Sequence, residues 1–63
     1  MYNNFMTTKE VSILLQTPIA YIRKLIREFK LNAYKVGKEY RISDSDLEEY
    51  LESVRYGKQE WWA

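Results

Sequence analysis

Arg23, Lys24 and Arg27, followed by Lys35, Lys38 and Arg41, are the side chains whose types and spacing point to a chemistry. At 100° per residue the first three share one side of a helix, within about a third of a turn of each other and of Ala20. The second three sit in "AYKVGKEYRIS", residues 33–43, where apolar and cationic residues alternate around a Gly37-Lys38 pair. Two neighbouring cationic arrays, one helical and one on a hairpin, can contact the phosphates of a polyanion. The charge is also segregated along the chain. Ile19 to Arg41 holds seven bases and two acids, whereas Ile42 to Val54 holds five acids and no base. Lysines and arginines that merely solvate helix exteriors would give the same segregation.

Other chemistries find few residues to work with. The 63 residues include no His and no Cys, which removes the commonest general base, the commonest metal ligand and any disulfide framework. With only two Gly there is no phosphate-cradling glycine loop. Glu48, Glu49 and Glu52 read as a solvated helix face, not as paired catalytic carboxylates. No enzyme, catalytic residue, metal site or cofactor is therefore expected. "MYNNFMTTKE" has no basic segment leading into an apolar run, and no stretch reaches membrane-spanning length. A soluble cytoplasmic protein with no membrane partner is the expectation. The length implies one domain, and a domain this small buries only about 60% of the surface its unfolded chain exposes. Six Tyr, two Phe and two Trp help to build its core.

The elements that must position the cations follow from caps and periodicity. Thr7 and Glu10 form a capping box for a short first helix with Val11, Leu14 and Leu15 on its apolar face and Ile13 on the other side. Thr17 caps a second helix and Pro18 takes its first position. Ile22, Leu25, Ile26 and Phe29 make the buried stripe of that helix. Asn32 is placed to take a left-handed conformation at its exit. Gly37-Lys38 then forms a type II′ hairpin turn, with Val36, Tyr40 and Ile42 inward and Lys35, Lys38, Glu39 and Arg41 outward. Ser43 caps a third helix, with Asp44 and Asp46 in its first turn and Leu47, Tyr50, Leu51 and Val54 as its apolar stripe. Gly57 stops that segment before Trp61 and Trp62.

The predicted fold is mainly α with a small β-hairpin: a winged helix-turn-helix in the order helix, turn, helix, wing, helix. It occupies residues 1–56, with residues 57–63 as a short C-terminal tail. Residues 6–52 resemble the small excisionase-type, MerR-like DNA-binding domains. "TTKEVSILL" is similar to the family's capped first helix, "YIRKLIRE" to its recognition helix, "AYKVGKEYRI" to its wing and "SDSDLEEYL" to its closing helix. The resemblance implies DNA contacts by Ile19, Ala20, Arg23, Lys24 and Arg27 in the helix and by Lys35, Gly37 and Lys38 in the wing. Arg41 belongs to the same basic hairpin. Where the family has polar or basic residues this chain has Pro18, Ile19 and Ala20, which offer apolar contact to thymine methyl groups. Where the family often has Gly this chain has Phe29, which implies a tighter helix exit or a different wing angle.

The resemblance further implies a bacterial or phage-encoded excisionase, or recombination directionality factor. Such a protein binds and bends attachment-site DNA and helps an integrase, a tyrosine or serine recombinase, to excise a mobile element. Its partners would be double-stranded DNA, the integrase and further copies of itself on tandem sites. A small transcription regulator with the same docking mode is one alternative. Another is a protein-interaction module that binds no DNA, with Trp61 and Trp62 as protein contacts. A Trp that folds back onto the core would account for the same residues.

Overall fold

The computed structural model describes residues 4–56. The elements are β1 (Phe5–Thr7), α1 (Thr8–Leu14), α2 (Ile19–Arg27), β2 (Tyr34–Val36), β3 (Glu39–Ser43) and α3 (Asp44–Ser53). The capping box forms as the sequence predicts. Thr7 Oγ1 accepts the Glu10 N–H at 3.1 Å, and Glu10 Oε1 accepts the Thr7 N–H at 2.9 Å. Ser43 caps α3, its hydroxyl accepting the Asp46 N–H at 3.1 Å. At α2 the start differs from expectation. Pro18 is the N-cap and makes no side-chain cap bond. Thr17 turns back and donates its hydroxyl to the Leu15 carbonyl at 2.9 Å, so it fastens the end of α1.

Both α1 and α2 end in a left-handed residue that is not glycine. Gln16 has φ 53° and Phe29 has φ 62°. The bonds around each form a Schellman motif, in which two N–H groups beyond the helix cap its last free carbonyls. Thr17 donates to Ser12 at 2.9 Å and Gln16 to Ile13 at 3.1 Å. Lys30 donates to Leu25 at 2.9 Å and Phe29 to Ile26 at 3.0 Å. Phe29, not Asn32, is therefore the left-handed residue. It leaves the apolar stripe because α2 has already ended, and the residue is 87% exposed. Leu31, brought back by the reversal, is buried in its place.

The sheet is antiparallel in the order β1-β3-β2. Gly37 has φ +64° while Lys38 stays at negative φ, as a type II′ turn requires. A two-residue turn fixes the register, so Lys35 lies opposite Tyr40 and Val36 opposite Glu39. Directly paired residues share a face. Lys35 thus joins Tyr40 and Ile42, while Val36 joins Glu39 and Arg41. Val36 is exposed, contrary to its expected inward position, because an inward Tyr40 excludes it by parity. β1 was not foreseen from the sequence. It places Met6 opposite Ile42 on the core face and Thr7 opposite Arg41 on the other.

The core is Val11, Ile22, Leu25, Ile26, Leu31, Ile42 and Leu47, with Met6, Leu15, Ala33, Tyr40 and Tyr50 packed against it. Besides Phe29 and Val36, three further expected core residues lie outside it. Leu14 is exposed at the last residue of α1, and Leu51 and Val54 are exposed where α3 runs beyond the core. Among the described residues no helix is long and apolar enough to cross a membrane. The expected roles of Gly57, Trp61 and Trp62 lie outside the described residues.

Candidate nucleic-acid interface

The cationic face is built on α2. Ile22, Leu25 and Ile26 are buried, which turns Ala20, Arg23, Lys24 and Arg27 outward, and all four are exposed. The two flanks of this face differ. Ile19 and Arg23 look toward the β2–β3 hairpin and share a cleft with it. Tyr21 lies on the opposite flank, near enough to Tyr50 of α3 to act on its hydroxyl. Burial first, and then the charge and hydrogen bond of Tyr21, raise the Tyr50 hydroxyl above the ordinary tyrosine range. The acidic helix α3 thus approaches α2 on the flank that carries Tyr21.

The hairpin carries Lys35, Gly37 and Lys38, all exposed. Lys35 Nζ sits 5.6 Å from the centre of the Tyr40 ring, a cation–π contact on the core face of the sheet. Nothing approaches within 4 Å of the place where a Gly37 side chain would begin, so the tip is open to solvent. There glycine serves the positive φ of the turn rather than a close approach. Arg41 is half-buried, and its Nη1 donates to Glu39 Oε1 at 2.7 Å and to the Tyr40 carbonyl at 3.2 Å.

A cleft of about 420 Å³ runs between α1, α2 and the hairpin. Of the residues singled out in the sequence, Ile19, Arg23, Lys38 and Arg41 line it. Ala20, Lys24 and Arg27 stand beside it on the open face of α2. Lys35 and Gly37 also stand outside it, on the hairpin. Thr8 and Lys9 line the cleft too, and nothing in the sequence had marked them. No local pattern could have done so, because β1 is what carries the start of α1 alongside β3.

Ion pairing sorts the cations. Among the described residues Lys30 pairs with Glu28, Arg41 with Glu39 and Arg55 with Glu52. Lys9, Arg23, Lys24, Arg27, Lys35 and Lys38 have no described carboxylate within 4.0 Å. Every one of these six lies on the α2 face, on the hairpin or in the cleft between them. None of Asp44, Glu48, Glu49 and Glu52 lines that cleft. Among the described residues no cluster of acidic side chains could hold a metal ion.

A family model described as a helix-turn-helix domain matches residues 5–55, well over half of the chain. Comparison with curated proteins and with solved structures gives no significant match.

Proposed function

The chain belongs to the helix-turn-helix domain family, which supports DNA as its partner, and on that footing we propose how it docks and what it does there. Helix α2 enters the major groove with Ala20, Arg23, Lys24 and Arg27 facing the bases and their flanking phosphates. Ile19 and Ala20 give apolar contact at the N-terminal end of the helix. The β2–β3 hairpin acts as a wing, with Lys35, Lys38 and the Gly37 backbone on the adjacent sugar-phosphate strand. The observation that carries this reading is the sorting of the cations. Among the described residues Arg23, Lys24, Arg27, Lys35 and Lys38 on α2 and the hairpin have no carboxylate partner, while Arg41 pairs with its strand neighbour Glu39 and Lys30 and Arg55 elsewhere are matched by acids.

The biological role we propose is that of an excisionase, which binds and bends attachment-site DNA so that an integrase can excise a mobile element. The support is the resemblance of residues 6–52 to excisionase-type domains, element by element and in the same order. A single small DNA-binding module buries only about 600–1,000 Å² of protein surface. Such an interface favours several copies on tandem sites, or a second protein beside the first. The test is a footprint on the attachment site of the element that encodes the protein, followed by an excision assay with its integrase. Protection of tandem sites and a requirement for the protein in excision are expected. Protection of a promoter alone, with excision unaffected by the protein, would replace this role with that of a transcription regulator.

A further inference from the structure

We propose that the cleft between α1, α2 and the hairpin seats one phosphodiester of the bound DNA, with Lys9 as a contact from a third element and Glu39 as a brake on Arg41. This rests on the DNA reading above and adds a site to it. Lys9 of α1, Arg23 of α2, Lys38 of the turn and Arg41 of β3 line one concavity, and Glu39 is its one carboxylate among the described residues. Glu39 is already committed to Arg41 at 2.7 Å. The other three cations have no carboxylate partner among the described residues. Like charges gathered from three separate elements repel one another, and an anion between them removes that repulsion. A phosphodiester has the right chemistry, with two anionic oxygens that accept from ammonium and guanidinium donors. Thr8 also lines the cleft and carries a hydroxyl, a neutral donor. The site is built by side-chain cations; the capping box of the short α1 already engages the Thr7 and Glu10 amides.

The Glu39–Arg41 pair gives the cleft a second property. Arg41 Nη1 is held by Glu39 and the Tyr40 carbonyl, so part of its fork is unavailable to a phosphate. The carboxylate itself repels an incoming phosphate. Glu39 therefore weakens binding at the point where Arg41 would strengthen it. Glu39→Gln keeps an oxygen acceptor for Arg41 and removes the charge.

The experiment titrates full-length protein onto a labelled duplex carrying its footprinted site, across a salt series. The variants are Lys9→Ala, Glu39→Gln and, as control, Lys30→Ala, whose lysine is paired with Glu28 and does not line the cleft. Lys9→Ala should weaken binding roughly tenfold and lower the salt slope by about 0.9. Glu39→Gln should tighten binding, and Lys30→Ala should leave the slope unchanged. Duplexes with one neutral methylphosphonate at successive positions then locate the phosphate. At one position the neutral linkage should weaken binding and abolish the effect of Lys9→Ala. Additive losses at every position would overturn the cleft, as would an unchanged slope in Lys9→Ala while the wild type binds DNA. Wild-type protein that binds no duplex at all would overturn the DNA reading together with the cleft.

Discussion

The number of cations without a carboxylate partner on α2, on the hairpin and in the cleft between them sets the salt dependence of DNA binding. Lys9, Arg23, Lys24, Arg27, Lys35 and Lys38 are the six without a described carboxylate partner. Each cation that neutralises a phosphate of B-DNA contributes about 0.9 to the slope of log K against log salt, so six give an upper bound of about 5.4. Raising monovalent salt from about 50 to about 200 mM should then weaken binding by up to about two-thousandfold. Replacing Arg23, Lys24 and Arg27 with Ala removes half of the set and should bring the slope to about 2.7, a loss of roughly fortyfold over the same range. All three side chains are exposed on α2 and Ala is the better helix former, so circular dichroism should show the helix retained. Fluorescence anisotropy on a labelled duplex reads both numbers. A wild-type slope below about 2 would mean that most of these cations meet no phosphate. A folded triple variant with wild-type affinity and slope would remove α2 from the interface.

Other outcomes follow from the same geometry. Phe29→Gly should be more stable than Phe29→Ala by about 0.5–1 kcal/mol, because glycine escapes the left-handed penalty at the cost of extra unfolded-state entropy. In a domain this small that difference is a melting shift of several degrees, and equal melting points for the two variants would contradict the left-handed Phe29. The raised Tyr50 hydroxyl makes the neutral form the one that folding favours. Its contribution is complete below the unfolded value of about 10 and is lost as pH rises through the higher folded value. Denaturant midpoints measured from neutral to strongly alkaline pH should therefore fall less steeply for Tyr50→Phe than for the wild type. Glu48→Gln and Glu49→Gln should change DNA affinity only through a general electrostatic gain, and a large loss would mean that α3 faces the DNA.

Legibility from sequence followed the range of the signal. Thr7, Glu10 and Ser43 act on amides three residues away, so their caps could be read directly. The turn at Gly37 was equally local. The helix periods located Ile22, Leu25, Ile26 and Leu47 in the core but overran the helix ends. Phe29 continues the period of α2 beyond its last turn, while Leu51 and Val54 continue that of α3 past the part the small core can cover. Val36 was a different kind of error, since the two-residue turn already fixed its parity with Glu39. β1 and Leu31 depend on contacts made only once the chain has reversed direction. Lys9 belongs to the same class, because it reaches the hairpin through the pairing of β1 with β3.

The charge segregation could be read along the chain, but its spatial meaning could not. Five acids follow the basic segment directly, and a flexible chain would let the two halves neutralise each other. Two features of the fold oppose this. Tyr21 meets Tyr50 on one flank of α2, while the hairpin and the N-terminal end of α1 meet Arg23 across the cleft on the other. Helix α3 therefore meets α2 on the flank away from the cleft, and among the described residues the one ion pair of its acids is the local Glu52–Arg55 pair. Apart from Arg41, which Glu39 holds, the cations on α2 and the hairpin are left to water until a polyanion replaces it. Water screens their mutual repulsion well enough for folding, so leaving them unpaired costs the free protein little. The same cations are worth more against DNA, where each phosphate they neutralise releases a condensed counterion. Keeping the two halves of the charge apart is thus a property of the packing, in which α3 follows directly on β3 and meets α2 at Tyr21 and Tyr50.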